Sequence, residues 1–391
     1  MAKRGKKIDP VLSKYLFLNR HLHIVCLDAP YPPDYGGAME MFGKIKALYQ
    51  EGIKIHLHYF DFKSKGNMKE LTHYCETIHS YPRKLGWKGF SFTIPYIVSS
   101  RKNDELVSRL NKDNYPILLE GIHCTGIINL INKEKRRILI RLHNDENIYY
   151  KNLARYEINP FKKLYFLNES RLLKKYQLKL PRGCLYACLS QKDTDTFVEK
   201  YKLPAVEFLP AFLCWSQVNC EEGTGNFCLY HGNLSVAENE KAACWLLDKV
   251  FTKIRIPLVI AGKHPSRRLS KWAHLCQHTC LVADPSEKEI NDLVQKAHIN
   301  ILPSFNKTGI KLKLLHALYR GRHCVVNPAA VEGLELNATC HIGNTASAIA
   351  SIILQLYHQP FGEEEIRLRK KILGEIYNNK NQAQKIIAWL Y

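Results

Sequence analysis

Apolar runs of strand length recur along this chain, and the stretches between them carry helical spacing. In the first half the runs are HLHIVCLDAP, IKIHLHYF, YPILLEGIH, RILIRLH and CLYACLS. The segment MEMFGKIKALYQEG between the first two ends at Gly52, a residue that commonly closes a helix. After the irregular stretch PAFLCWSQVNCEEGTG the pattern restarts with FCLYHGNL, IPLVIAG, TCLVAD, INILPS and HCVVNP. AENEKAACWLLDKVFTK, EKEINDLVQKA and IKLKLLHALYRG are the helices predicted between them. Strands alternating with helices predict parallel α/β sheets. A chain of 391 residues exceeds the roughly 250–300 that one core can serve. The reading is therefore two doubly wound, Rossmann-like domains facing a central cleft. The expected division is a basic N-terminal extension (1–20), a first domain (21–212), a linker (213–224), a second domain (225–375) and a final helix (376–391). Open α/β sheets bind ligands at the carboxyl ends of their strands, which makes the cleft the expected site.

Composition narrows the class. With 46% hydrophobic and 24% charged residues the chain has the material for real cores. The net charge of +21 calls for an anionic environment: nucleic acid, lipid headgroups or phosphorylated small substrates. Basic residues are spread along the chain, and the aromatic motifs of RNA-recognition folds and zinc-finger spacings are missing, so no nucleic-acid partner is expected. Between Phe161 and Leu180, Leu164, Leu167, Leu172, Tyr176 and Leu178 stand among lysines and arginines. That pattern suits a basic amphipathic helix on an anionic membrane surface, and equally a core-facing helix with a solvated basic outer face.

Lys14, Arg20 and His21 interrupt the apolar stretch that follows the basic start, and no run of 18 apolar residues occurs. A cytoplasmic protein is expected, free or peripheral on the inner face of the cell membrane. Thirteen cysteines in such a setting read as reduced thiols. His274, Cys276, His278 and Cys280 alternate as on one face of a strand, too linear to close a metal tetrahedron, so no metal is expected.

The candidate chemistry sits at predicted strand ends. Gly36 and Gly37 follow the first strand and open a helix, where a backbone can approach a phosphate or simply turn. His143 closes the strand at 138–143, followed by Asn144 and Glu146, and Glu120 ends the strand in LLEGIH. Lys311 and Lys313 fall in the first turn of a helix expected to begin near Gly309, where the helix dipole disfavours cations unless an anion is bound. Helical spacing sends those two lysines to different faces, and Lys313 reads more readily as an exposed, solubilising one. Lys263, just past a strand end in IAGKHPS, is a further candidate for anion binding.

Four stretches taken together, PYPPDYGGAMEMFGKIKAL, RLHNDENIYYKNLARYE, LYHGNLSVAENEKAACWL and LPSFNKTGIKLKLLHALYRGRHCVVN, resemble the retaining glycosyltransferases of GT-B fold in the large family 4-like group, over nearly the whole chain. The resemblance implies a nucleotide-sugar donor, with UDP- or GDP-sugars in view, no required cofactor, a glycan or lipid-linked acceptor, and a role in surface polysaccharide biosynthesis. It implies donor contacts from Gly36, Gly37, Gly232, Asn233, Lys263, Thr308, Gly309, Ile310, Lys311 and His316, a catalytic His143 near the donor sugar, and acceptor-side candidates Glu120, Asn144 and Glu146. It also implies that the last helix crosses back to the first domain. The chain departs from the pattern in two places. Thr308 and His316 stand where relatives carry two glutamates, and Asn233 and Asn239 stand in the loop where many place an arginine and a lysine. A non-catalytic module of the same fold, binding a glycan or a partner transferase, is the competing reading.

Overall fold

The computed structural model describes residues 19–33, 35–61, 68–157, 159–306 and 309–391. Most of the basic N-terminal extension, and Thr308, lie outside the described residues. The first domain is a seven-stranded parallel sheet in the order β3-β2-β1-β4-β5-β6-β7. Its strands are β1 (His21–Cys26), β2 (Lys54–Asp61), β3 (Thr77–Pro82), β4 (Ile117–Glu120), β5 (Ile138–Leu142), β6 (Leu185–Cys188) and β7 (Val206–Phe208). The second is a six-stranded parallel sheet in the order β10-β9-β8-β11-β12-β13. It comprises β8 (Cys228–His231), β9 (Leu258–Gly262), β10 (Thr279–Ala283), β11 (Ile299–Ile301), β12 (His323–Val326) and β13 (His341–Ile342). The doubly wound pair expected from the sequence pattern is what forms. Each predicted strand run contains an observed strand; β3, β7 and β13, not among those runs, are all sheet-edge strands. An edge strand has fewer covered neighbours, so its sequence need not be as apolar.

The helices that bear on the site are α1 (Gly36–Gln50), α2 (Glu146–Tyr156), α3 (Pro160–Gln177), α4 (Ala237–Trp245), α5 (Leu312–Arg320) and α6 (Asn379–Leu390). Alternate residues of the central strands feed opposite faces of the first sheet: Ile117, Leu119, Ile138 and Ile140 belong to one apolar layer, Leu118 and Leu139 to the other. The second layer also takes Ala383, Ile386 and Leu390 of α6, so the end of the chain completes the core of the first domain. Arg137 donates to the Trp389 carbonyl at 2.9 Å and Tyr391 to the His21 carbonyl at 2.6 Å, which pins the last turn of that helix at the amino ends of β5 and β1.

The cluster from His274 to Cys280 does not form the single strand face expected of it. His274 lies in a helix (Arg267–Leu275), Cys276 caps that helix, and only Cys280 is in a strand. Two periods are joined by a turn within seven residues, and alternation over so short a span cannot reveal the break. All thirteen cysteines are free. Among the described residues no helix is long and apolar enough to cross a membrane.

Candidate active site in the interdomain cleft

In each sheet the strand order reverses between the first and fourth strands, at β1/β4 and at β8/β11. The crevice outside the carboxyl ends of such strands is where open α/β sheets take ligands. Here the two crevices face each other. Gly36, the first residue of α1, packs against Leu312, the first residue of α5; a methyl group on Gly36 would lie 3.0 Å from Leu312 Cδ1. Neither helix has a side chain capping its N-terminus. The positive ends of two helix dipoles therefore converge on one spot between the domains. Gly309 (φ +66°) brings its backbone against Asn144 from the opposite domain, so close that any Cβ would overlap the Asn144 amide oxygen. Tyr156 donates to the Phe305 carbonyl and Asn152 to Asn306 Oδ1, both at 3.0 Å, closing one side of the cleft.

Under the first crevice lies a buried charge network. Glu40 and Lys44, one turn apart on α1, face the sheet. Lys44 Nζ donates to Glu40 Oε2 at 2.9 Å and to Glu120 Oε1 at 2.5 Å. Arg141, fully enclosed on β5, donates from Nε to Glu40 Oε1 at 3.0 Å and from its other nitrogens to the carbonyls of Cys188, Leu209 and Pro210. The second oxygen of Glu120 accepts from His143 Nε2 at 2.9 Å. Burial alone would raise the Glu40 carboxyl, but Lys44, Arg141 and His143 overcome it and hold the group down to about 2. Because Nε2 donates to a carboxylate, a neutral His143 keeps Nδ1 as a bare acceptor. Among the described residues, Glu40, Glu120 and His143 are the one set of metal-type ligands whose donor atoms fall within 4.8 Å of one another. The Lys44 ammonium already lies between the two carboxylates and supplies the positive charge there.

On the second-domain wall, Lys313 departs from the reading as an exposed lysine. It is half-buried, its ammonium donating to Asn239 Oδ1 at 3.0 Å and to the Tyr230 hydroxyl at 3.3 Å, 4.8 Å from the centre of that ring. Burial pushes it down to about 8, against the pull of Glu238. Asn239 in turn donates to the Asn233 carbonyl at 2.9 Å, and Gly232 packs on the Asn239 amide. The loop that lacks the usual cations thus receives one from α5. Sequence spacing could not show this, because the lysine that reaches the loop is some eighty residues away along the chain.

The other expected residues fall as follows. Lys311 is the N-cap of α5, which begins three residues later than expected; it is half-buried, and burial lowers its pKa while Glu238, Asp193 and Glu332 raise it. Ile310 packs on the core of the second domain. Lys263 is exposed in the loop after β9, its carbonyl accepting from Leu234 N at 2.9 Å. His316 is buried. Its ring stacks on Trp215 at 4.8 Å, Nε2 meets Asn291 Oδ1 at 2.8 Å, and burial pushes it down to about 4. Glu120, expected on the acceptor side, has no exposed surface, and both its oxygens are engaged. It braces His143 instead. Glu40, Lys44 and Arg141 were not among the expected residues; Glu40 and Lys44 form an i,i+4 pair, which usually marks a solvated helix face.

Glu146, the first residue of α2, is buried and accepts one long bond, 3.5 Å, from Asn144. Burial pushes its carboxyl up to about 7, with Asp145 and Asp193 adding to the rise and Asn144 and Arg101 opposing it. A folded-state value above the unfolded one means stability from this group is full below about pH 4.5 and is lost as pH rises through about 7. Glu146→Gln should therefore be more stable than the parent at pH 8 by on the order of 3 kcal/mol, and equal to it at pH 4. Urea unfolding of both proteins across that range measures the difference; a gap that does not change with pH would show that Glu146 does not titrate there.

Residues 225–359 match the family model of the glycosyl transferases group 1. A Klebsiella pneumoniae protein described as an uncharacterized 44.6 kDa protein in cps region is 27% identical over 385 residues, covering 93% of this chain and 98% of the relative. Among solved structures, TarM superposes with a TM-score of 0.70 at 10% identity, over 95% of this chain and 98% of its own. Sucrose-phosphate synthase from Thermosynechococcus elongatus gives 0.67 at 13%, with the same coverages. HepE from Anabaena, solved with UDP and glucose, gives 0.61 at 12%, over 94% and 98%. The chain is a two-domain α/β protein of GT-B fold, and residues 225–359 of its second domain are similar to the group 1 glycosyl transferases.

Proposed function

We propose that this protein is a retaining glycosyltransferase that moves a hexose from a UDP- or GDP-sugar to a glycan or lipid-linked acceptor in surface polysaccharide assembly, on the cytoplasmic side of the membrane. The observation that carries the reading is the meeting of two helix N-termini, at Gly36 and Leu312, with the Lys313 ammonium held beside the loop at Gly232 and Asn233. Such a place favours a diphosphate, and favours it more as the bond to the sugar breaks and negative charge grows on the departing oxygen. In this reading the acceptor hydroxyl attacks the anomeric carbon on the face the diphosphate leaves, and its proton passes to the departing phosphate oxygen. His143, held by Glu120, accepts a hydrogen bond from a sugar hydroxyl and sets the ring. Asn144 and Glu146 stand at the acceptor edge. HepE solved with UDP and glucose supports UDP as the first nucleotide to try, and the Klebsiella relative's cps region supports a polysaccharide acceptor.

The competing reading, a non-catalytic module that binds a glycan or a partner transferase, draws on His316, which stands in place of a glutamate and is occupied with Trp215 and Asn291. A thermal-shift comparison of UDP, GDP, ADP and CMP separates the two. A nucleotide at a hundred times its dissociation constant adds roughly 2.7 kcal/mol to stability. One of the four should raise the melting temperature, and Lys313→Met should weaken that nucleotide about tenfold or more. No rise with any of them would favour the non-catalytic module.

A further inference from the structure

The first domain carries an apolar face outside the cleft. Trp87 is 88% exposed, Phe92 84%, Phe161 83% and Leu164 68%, with Leu85, Phe90 and Tyr165 exposed beside them. Lone exposed apolar residues are ordinary, but these come in two groups, one on the loop from Leu85 to Phe92 and one on the first turns of α3, the helix to which that loop is bonded. Trp87, Phe90 and Phe92 meet edge to face, with centroids 5.6 and 4.8 Å apart. The loop that bears them is locked onto α3: Tyr96 N donates to Glu169 at 2.9 Å, and the Tyr96 hydroxyl accepts from Gly86 N at 3.1 Å. The α3 pattern now resolves into two halves. Leu172 and Leu173 are in the core, whereas Phe161, Leu164 and Leu167 toward the N-terminus are bare.

Charge identifies the occupant. Segments 83–100 and 159–182 together hold ten lysines and arginines and a single carboxylate, Glu169, which is buried. Lys84, Lys88, Lys162 and Lys163 are exposed next to the aromatic side chains. Bulky apolar tips ringed by long cationic side chains, with no acidic group among them, suit the headgroup boundary of an anionic bilayer.

We propose that this face docks the protein in the plane of an anionic lipid surface, with Trp87, Phe92, Phe161 and Leu164 inserted at the acyl boundary and Lys84, Lys88, Lys162 and Lys163 against the headgroups. The docking stands on the surface alone and does not require the transfer reaction. It orients the cleft nonetheless. Lys84 N donates to the Ser100 carbonyl at 2.9 Å, and the neighbouring Arg101 donates to the Leu27 carbonyl at 2.7 Å, so the docked loop is tied directly to the carboxyl end of β1. An acceptor carried on a lipid would enter from that side.

Sedimentation with vesicles tests the proposal. The protein should bind vesicles of phosphatidylcholine and phosphatidylglycerol in equal parts, release at high salt, and bind pure phosphatidylcholine poorly. Trp87→Ser with Phe92→Ser should weaken binding roughly tenfold or more, as should Lys162→Glu with Lys163→Glu. Charge reversal on the other basic face, Arg267→Glu with Arg268→Glu, should change it by less than about threefold. All these positions are at the surface, and unchanged melting temperatures show that the variants fold. No vesicle binding, or equal binding by the parent and the aromatic variant, would overturn the proposal. So would a parent dimer that the aromatic variant splits while vesicle binding is unaltered, because the face would then pair two copies of the chain.

Discussion

Lys44→Met should lower stability by about 3–5 kcal/mol at neutral pH, because it removes the shared cation and leaves two buried carboxylates facing each other. Lys44 has no exposed side-chain surface, and Glu40 and Glu120 have 2% and none. Water cannot replace the missing ammonium. Methionine fills most of the volume, so a cavity adds little. The sign of the pH dependence separates this cause from a packing defect. In the parent, Glu40 is held down to about 2, so its contribution is present above about pH 4.5 and lost only as pH falls toward 2. In the variant the Glu40 carboxyl loses the Lys44 cation and rises, and it regains a proton as pH is lowered from 7. The stability gap should therefore close between pH 7 and about 4. Urea titrations of both proteins at several pH values measure it; a gap below about 1 kcal/mol at pH 7 would mean that the network does not depend on Lys44.

His143→Ala should reduce transfer by roughly 10²–10³-fold while nucleotide binding stays within about twofold, the size seen when one aimed hydrogen-bonding group is removed from a reacting centre. The histidine closes β5 at the switch side of the sheet, and Glu120 at the end of β4 fixes its tautomer. Its removal also leaves Glu120 Oε2 without its donor, so a stability loss of about 1–3 kcal/mol should accompany the change. His143→Gln, which can still donate to Glu120, should recover stability more than turnover. The donor selected by thermal shift, assayed for turnover with and without acceptor, supplies the measurement. A variant with activity within about threefold of the parent would remove His143 from the reacting centre.

The paired sheets were legible because parallel strands buried on both faces must be apolar, and β1, β5, β9 and β12 show this in HLHIV, ILIRL, PLVIAG and HCVV. The edge strands β3, β7 and β13 were not, for the same reason, although the fourth edge strand, β10, showed in TCLVAD. His143 was visible as a polar residue ending an apolar strand, and Gly36 and Gly309 as glycines next to helix starts. Their partners were invisible. Glu40 and Lys44 have the spacing of a solvated helix pair, and only the packing of α1 on β4 and β5 turns that pair inward. Likewise, helical spacing separates Lys311 from Lys313 but cannot say which of the two meets the loop at Asn233.

The sequence by itself determined the class of fold, the two-domain division of its pattern and the strand ends where chemistry collects, since these follow from local periodicity and from glycine and polar residues at element boundaries. The tertiary structure decided which charges neutralise one another. It placed Lys44 between two glutamates, gave Lys313 to the loop that lacks cations, turned His316 onto Trp215, and tied the loop at Tyr96 to Glu169 of α3. Each of these pairs residues far apart along the chain, and the energy of a buried charge depends on distance and on exclusion of water, neither of which exists until the chain has folded.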